Sequence, residues 1–215
     1  MNEHIVKSFD ADLTQLQTMI AEMGGLAEDQ LAKAIDALSK RDATLATHTI
    51  QADEKIDALE LAIEEKAVLT IARRQPMAAD LRVIMVAIRV ASDLERIGDL
   101  AKNIAKRTHA MTESLPRSLA NGMTRIGKLA LHQLKDVLDA YAARDGAKAM
   151  AVWRNDEEID SLFSSIYREH LTYMMEDPRT IGMCTHLLFA SKNIERIGDH
   201  CTNIAENIYY LLNAQ

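Results

Sequence analysis

Apolar residues recur at three- and four-residue spacing along almost the whole chain, which is the period of an α-helix. Phe9, Leu13, Leu16, Ile20, Met23, Ala27, Leu31, Ala34 and Leu38 trace one stripe. That stripe predicts a helix of about thirty residues, roughly 45 Å long. Gly24-Gly25 lies inside it and is a candidate bend. The polar run SKRDAT at 39–44 interrupts the stripe, and Asp42 is placed to cap the next helix. A second helix is expected from Ala43 to Arg74. Gln75-Pro76 should end it, because the residue before a proline is steered out of the helical region. Pro76 suits the first turn of a third helix running to about His109.

The run MTESLP at 111–116 holds Thr, Ser and Pro between two periodic segments and reads as a boundary. After it the pattern restarts with Leu119, Met123, Ile126, Leu129 or Ala130, Leu134, Val137 and Leu138. The second part also repeats the first. ARDG at 143–146 matches KRDA at 40–43, NDEEID at 155–160 matches ADEKID at 52–57, and EDP at 176–178 matches RQP at 74–76. ERIGDLAKNIA at 95–105 returns as ERIGDHCTNIA at 195–205. Early matches are 103 residues apart and late ones 100 apart, so a few residues were lost in turns. Two copies of a three-helix unit are the simplest account. Short links between long amphipathic helices make antiparallel neighbours. The expected fold is all-α: two tandem three-helix bundles, residues 1–112 and 113–215, six long helices in all.

Composition narrows the partners more than the fold. The chain has 215 residues, 48% of them apolar, with three prolines, eight glycines and few aromatics. That mixture disfavours a β architecture. The formal charge of −7 makes the chain a poor non-specific binder of nucleic acid or anionic lipid, both polyanions. Cys184 and Cys201 have neither zinc nor redox spacing and read as buried free thiols. The start MNEHIVKSFDADL is mixed and polar, unlike a secretion signal. No apolar run is long enough to span a bilayer. A cytoplasmic protein is expected.

The repeated segment carries chemistry as well as apolar pattern. Glu95, Asp99 and Asn103 stand at i, i+4 and i+8, as do Glu195, Asp199 and Asn203. Asp53/Asp57 and Asp156/Asp160 add two further acidic pairs at repeat-matched positions. Residues four apart share a helix face, and like charges there destabilise a helix by about 0.2–0.5 kcal/mol. A hard cation is one candidate to offset that. Carboxylate and amide oxygens without Cys or His suit Mg²⁺, Ca²⁺, Mn²⁺ or iron rather than zinc. Pairs on adjacent helices would then converge on a divalent or multinuclear centre with positions open to phosphate. The competing reading is an ordinary solvated face, with Arg96 or Lys102 paired to Asp99 and Arg196 to Asp199. Recurrence of ERIGD and NIA in both copies favours a ligand role. Gly98 and Gly198, each inside a helix, suggest the close approach of a neighbouring helix or of an ion.

Other chemistry is missing. The chain has no Glu-x-x-His, no His-Glu-x-x-His, no phosphate-binding Gly-Lys loop and no nucleophile elbow. The seven histidines are scattered and read as surface or lone core residues. Trp153 and the eleven methionines read as core filling. A non-enzymatic protein is expected. A scaffold without a metal and a metal-dependent phosphohydrolase remain as alternatives.

Taken jointly, ARRQPMAADLR at 72–82, LERIGD, YMMEDPRTI at 173–181 and IERIGD resemble the PhoU family of bacterial phosphate-signalling proteins. The family's Glu/Asp-x-x-x-Asp signature falls on Asp53/Asp57, Glu95/Asp99, Asp156/Asp160 and Glu195/Asp199. The resemblance implies a cytoplasmic and often dimeric protein that binds metal (Mg, Mn or Fe) at these carboxylates. It implies peripheral association at the inner membrane face, through the ATPase subunit of a phosphate ABC transporter. It also implies contact with a sensor histidine kinase, repression of phosphate-starvation genes and restraint of phosphate uptake.

Overall fold

The computed structural model describes residues 2–111 and 115–213. Six helices follow one another: α1 (Asn2–Lys40), α2 (Ala43–Arg74), α3 (Ala79–Ala110), α4 (Arg117–Ala143), α5 (Gly146–Glu176) and α6 (Ile181–Asn213). A single 3₁₀ turn, Pro178–Thr180, precedes α6. The expected boundary between residues 112 and 113 lies outside the described residues.

The turn before the second helix of each half is built the same way. Arg41 and Arg144, 103 residues apart, take the left-handed conformation at φ 57° and 50°. Asp42 N–H then donates to Ala37 O and Asp145 N–H to Ala140 O, both at 2.9 Å, closing the preceding helix as a Schellman turn does. The Asp42 carboxylate accepts from Leu45 N–H at 2.9 Å, and that of Asp145 accepts from Ala147 and Lys148 N–H at 2.9 and 3.0 Å. Each such cap contributes about 1 kcal/mol.

The proline links differ from expectation in the first half. Gln75 ends α2 in the left-handed region (φ 49°, ψ 54°) rather than in extended backbone, and its N–H donates to Ile71 O. Ala78 also has positive φ, and α3 begins only at Ala79. Pro76 therefore stands outside α3, not in its first turn. In the second half Pro178 does open a helical turn, with the Asp177 carboxylate accepting from Arg179 N–H at 3.1 Å.

In the first half α1, α2 and α3 pack on one another, and in the second α4, α5 and α6 do the same. The halves join through α3 against α6 and α1 against α4. The first and third helices of each half thus meet their own counterparts, as in a two-fold interface. The details obey that symmetry. A Cβ on Gly24 would lie 2.6 Å from Leu138 Cδ2, and one on Gly127 would lie 2.6 Å from Ile35 Cδ1. Both pairs of partners are 103 residues apart. Close approach, rather than bending, explains Gly24, and α1 continues through it as one helix. Among the described residues α2 and α5 touch only their own half.

The apolar stripes supply one continuous core. Leu16, Ile20, Met23, Leu31, Leu94, Ile97, Ile104, Leu119, Ile126, Leu134, Leu187 and Ile197 are all at most 1% exposed. Cys184 and Cys201 are free and buried within it. Trp153 departs from the core-filling expectation: it is 47% exposed on the outer helix α5. Met77 and Met175 are likewise exposed, whereas Met23, Met123 and Met183 are buried. Met77 belongs to the first proline link, and Met175 adjoins the second.

Candidate cation site

The acidic pairs lie where the second and third helices of each half run side by side. Asp53 and Asp57 stand one turn apart on α2, facing Glu95 and Asp99 on α3. Gly98 lets the backbones approach: a Cβ there would sit 3.0 Å from Ile56 Cδ1, 3.3 Å from Gln30 Oε1 and 3.4 Å from Asp53 Oδ1. Gly198 is equivalent, with Asp156 Oδ1 at 3.1 Å and Gln133 Oε1 and Ile159 Cδ1 each at 3.2 Å.

Two glutamines from the first helix of each half complete the arrangement. Gln30 Nε2 donates to Asp53 Oδ1 at 3.0 Å, and Gln133 Nε2 donates to Asp156 Oδ1 at 3.2 Å. Both side chains are buried, and neither Oε1 has a hydrogen-bond partner. Each Oε1 occupies the side of the glycine where a Cβ would otherwise stand. The sequence reading passed over these glutamines. Their offset of 103, shared with Asp53/Asp57 and Asp156/Asp160, was the available signal.

The charge around the two clusters is arranged differently. In the first half Lys102 Nζ bonds Asp53 Oδ2 and lies 3.2 Å from Asp99 Oδ1. The hydrogen bond to Asp53 holds the Lys102 ammonium well above the ordinary lysine range. Arg96 turns to Glu95 Oε2 at 3.4 Å rather than to Asp99. Glu60, also missed in the sequence, joins this cluster. Burial raises the carboxyl pKa of Asp57, Glu60 and Glu95, and neighbouring carboxylates raise each further. The repeat hid Glu60, because its counterpart is Phe163.

In the second half Lys102 is replaced by Thr202, whose hydroxyl donates back to Gly198 O at 3.0 Å. The cation there is Lys192, 2.6 Å from Glu195 Oε1 and 5.5 Å from the centre of the Phe163 ring. Glu195 Oε2 is buried without a partner. Burial and the charges of Asp156 and Asp199 raise the Asp160 carboxyl pKa. Asp160 and Asp199 are exposed, and among the described residues no ion pair reaches either one.

The asparagines leave the ladder. Eight residues along a helix amount to a rotation of about 80° from the starting face. Asn203 Nδ2 accordingly meets Asp93 Oδ1 of α3 at 3.4 Å, beside His200 Nδ1 at 3.0 Å from the same oxygen. It belongs to the seam between the halves. Asn103 accepts from Lys106 at 3.4 Å.

The donor set suits a hard divalent ion, being carboxylate and amide oxygen without thiolate or imidazole. The orphaned Glu195 Oε2 is a buried acceptor such an ion would satisfy. Among the described residues, no three or more His, Cys, Asp or Glu side chains form a group that could hold a metal ion. Binding therefore requires the exposed carboxylates, Asp160 and Asp199 above all, to turn inward.

The sequence model of the PhoU domain matches this chain twice, over residues 20–108 and 123–208. The chain belongs to the PhoU family. Its PhoU relatives match along nearly the full length. It is 56% identical to a phosphate-specific transport system accessory protein PhoU homolog of Rhizobium meliloti, over 97% of this chain and 88% of that protein. It is 51% identical to the homolog of Caulobacter vibrioides, over 100% of this chain and 94% of that one. The crystal structure of PhoU from Pseudomonas aeruginosa superposes with a TM-score of 0.92 at 37% identity, covering 96% of this chain and all of that one. The two PhoU spans fall on the two helical bundles, and the all-α fold is that of the PhoU structures.

Proposed function

We propose that this chain is an accessory protein of a phosphate-specific transport system. In that role it represses the phosphate-starvation response and restrains phosphate uptake. It acts without catalysis, as a helical adaptor between the ATPase subunit of a phosphate ABC transporter and a sensor histidine kinase. The observation that carries this reading is the near full-length likeness to PhoU accessory proteins, 56% over 97% of the chain. Two physical features support an adaptor. Among the described residues, nothing from the other half covers the outer helices α2 and α5. They also expose Leu61, Val68 and Leu69 on α2, and Trp153, Tyr167 and Leu171 on α5, to a partner or a second copy. No described helix is long and apolar enough to cross a membrane, so association with a transporter would be peripheral, at the cytoplasmic face.

The acidic clusters give the adaptor an input. Asp53, Asp57, Glu95 and Asp99 in one half, and Asp156, Asp160, Glu195 and Asp199 in the other, would hold Mg²⁺, Mn²⁺ or iron, which when bound would supply positive charge for inorganic phosphate to meet. Either ligand acts only through its different affinity for the partner-bound and free states. Expression of a phosphate-regulated reporter in a deletion strain tests this. Wild-type chain should restore repression at high phosphate, and the Glu95, Asp99, Glu195 and Asp199 to Ala variant should not. A wild-type chain that leaves the reporter derepressed would refute the regulatory reading. One observation favours a metal-independent scaffold: Lys102 already supplies a cation to Asp53 and Asp99. Full repression by the Ala variant would select that scaffold.

A further inference from the structure

Where α3 and α6 join the two halves, their outward sides leave an open groove of about 550 Å³, lined by Arg89, Asp93, Asn203, Glu206, Asn207 and Tyr210. The two helices run antiparallel. Arg89 Nη1 donates to Asn207 Oδ1 at 3.4 Å near one end, and the Arg107 guanidinium lies over the Phe189 ring at 4.8 Å near the other. Arg89 matches Phe189 in the repeat and Arg107 matches Asn207, so both contacts are one crossing met from either half. The guanidinium groups of Arg82 and Arg89 also face the Tyr210 ring, at 5.5 and 5.8 Å. The chain has a formal charge of −7, yet three arginines stand along this one seam, each steadied by a ring. Tyr210 and Phe189 remain about half exposed, and Met85 is exposed beside them on α3.

We propose that the outward groove between α3 and α6 is a docking surface for an acidic amphipathic helix of a partner protein, seated on Arg89 and Arg107 and on the rings of Tyr210 and Phe189. Such docking rests on the adaptor reading and gives it a face and a chemistry. Arg107 stands 18 positions beyond Arg89, about 27 Å along α3, or about five turns of a helix lying in the groove. Apolar side chains of that helix would meet the rings, and its carboxylates the guanidinium groups. A guanidinium stacked on a ring keeps its edge donors for a carboxylate, which it grips through paired hydrogen bonds.

The groove's own carboxylates do not use up this charge. Asp93 accepts from His200 Nδ1 at 3.0 Å and from Asn203 Nδ2 at 3.4 Å, and Glu206 is the other carboxylate in the lining. Three arginines thus stand against two carboxylates. The surroundings favour a protein helix over nucleic acid. Ser92 lines the groove and also hydrogen-bonds Glu60 of the first acidic cluster, so the basic strip is narrow. A phosphate backbone carries charge too densely to avoid the acidic clusters on either side. A helix can confine its acids to one stripe.

The test is the affinity of the purified full-length chain for the purified transporter ATPase subunit and for the cytoplasmic part of the kinase, by isothermal titration calorimetry. Arg89→Glu with Arg107→Glu should weaken binding to at least one of them by roughly a hundredfold. Lys55→Glu with Arg154→Glu, the same charge change at exposed positions of α2 and α5, should leave that partner's affinity within about threefold. Circular dichroism confirms each fold. If the double seam variant fails to fold, Arg89→Glu alone decides, with a loss of roughly tenfold expected. Unchanged affinity for both partners in the folded seam variant would overturn the inference, as would an equal loss in the α2/α5 variant. Self-association of the wild type that the seam variant lacks, with partner affinities unchanged, would assign the groove to a second copy. Duplex DNA bound by the wild type and released by the seam variant, again with partner affinities unchanged, would assign it to nucleic acid. Either result would also overturn the inference. A wild-type chain that binds neither partner would sink the adaptor reading and the inference with it, whereas binding untouched by the seam variant sinks the inference alone.

Discussion

In the first half an ammonium lies between two inner aspartates, and in the second the same helical position holds a hydroxyl turned onto its own backbone. The two halves otherwise share caps, crossing glycines and glutamine donors at matched positions. The contrast shows what the duplicated frame constrains. Backbone turns and close helix approach tolerate little change, because a lost cap or an added methyl acts on packing directly. The position of a neutralising charge tolerates more, since a cation can reach a carboxylate cluster from either end. Lys102 reaches it from the inner end and Lys192 from the outer end, where Phe163 stands in place of Glu60.

The largest effect should come from removing Lys102. Asp53 would then be a buried carboxylate left with Gln30 alone, and breaking such a pair costs about 2–3 kcal/mol once the partial exposure of Lys102 is allowed for. Thr202→Val, at the matched position, should stay within about 0.5 kcal/mol. Urea denaturation of Lys102→Met, Asp53→Asn and the double variant gives the coupling, expected at about 1–3 kcal/mol. Equal losses from Lys102→Met and Thr202→Val would erase the proposed difference between the halves.

A smaller effect should separate the two crossing glycines of the α1–α4 interface. A methyl at Gly127 meets three atoms of Ile35 at 2.6, 2.8 and 2.9 Å, including both branches of a stiff side chain. A methyl at Gly24 meets mainly the movable tip of Leu138. Overpacking, offset by the better helix propensity of alanine, leaves Gly127→Ala about 1–2 kcal/mol less stable. Gly24→Ala should be near neutral. Thermal melts that rank them the other way would mean the interface repacks freely.

The smallest effect is one of pH, at a position where the halves again differ. Buried His170 of α5 corresponds to buried Ala67 of α2. Its Nδ1 donates to Ile166 O at 2.7 Å, its Nε2 has no partner, and burial holds the imidazole below its ordinary pKa. The unfolded chain takes up a proton as pH falls through about 6.5, while the folded chain resists until lower pH. Stability from this group is therefore complete above that range and falls as pH drops toward the folded-state pKa. His170→Leu should narrow the gap between urea midpoints measured at about pH 7.5 and about pH 5.5. An unchanged gap would mean His170 takes its proton as readily folded as unfolded.

Much of the fold could be read from period and punctuation. The limits of α2, the cap at Asp42, and the restart of the apolar stripe at Leu119 follow from local rules that the packed structure does not override. Pro76 was legible as a break but not as a position, because the Gln75–Ala78 link uses two left-handed residues that no local preference announces. Trp153 looked like core by size alone, yet its place on α5 was set by which side α4 and α6 cover. At the candidate site the repeat exposed the carboxylates and their glycines. It also misled: Asn203 sits on the repeated segment but turns to the interface between halves. Glu60 and Lys102 escaped notice or weight because their counterparts, Phe163 and Thr202, differ. A search for repetition finds what two halves share, whereas here the chemistry that distinguishes them is carried by what they do not.

The most direct measurement is an anomalous-difference map from crystals of the wild-type chain grown with Mn²⁺. A manganese peak should stand beside the acidic side chains where the second and third helices of a half run side by side, at Asp53, Asp57, Glu95 and Asp99 or at Asp156, Asp160, Glu195 and Asp199. No peak beside any of the four acidic pairs would contradict the account.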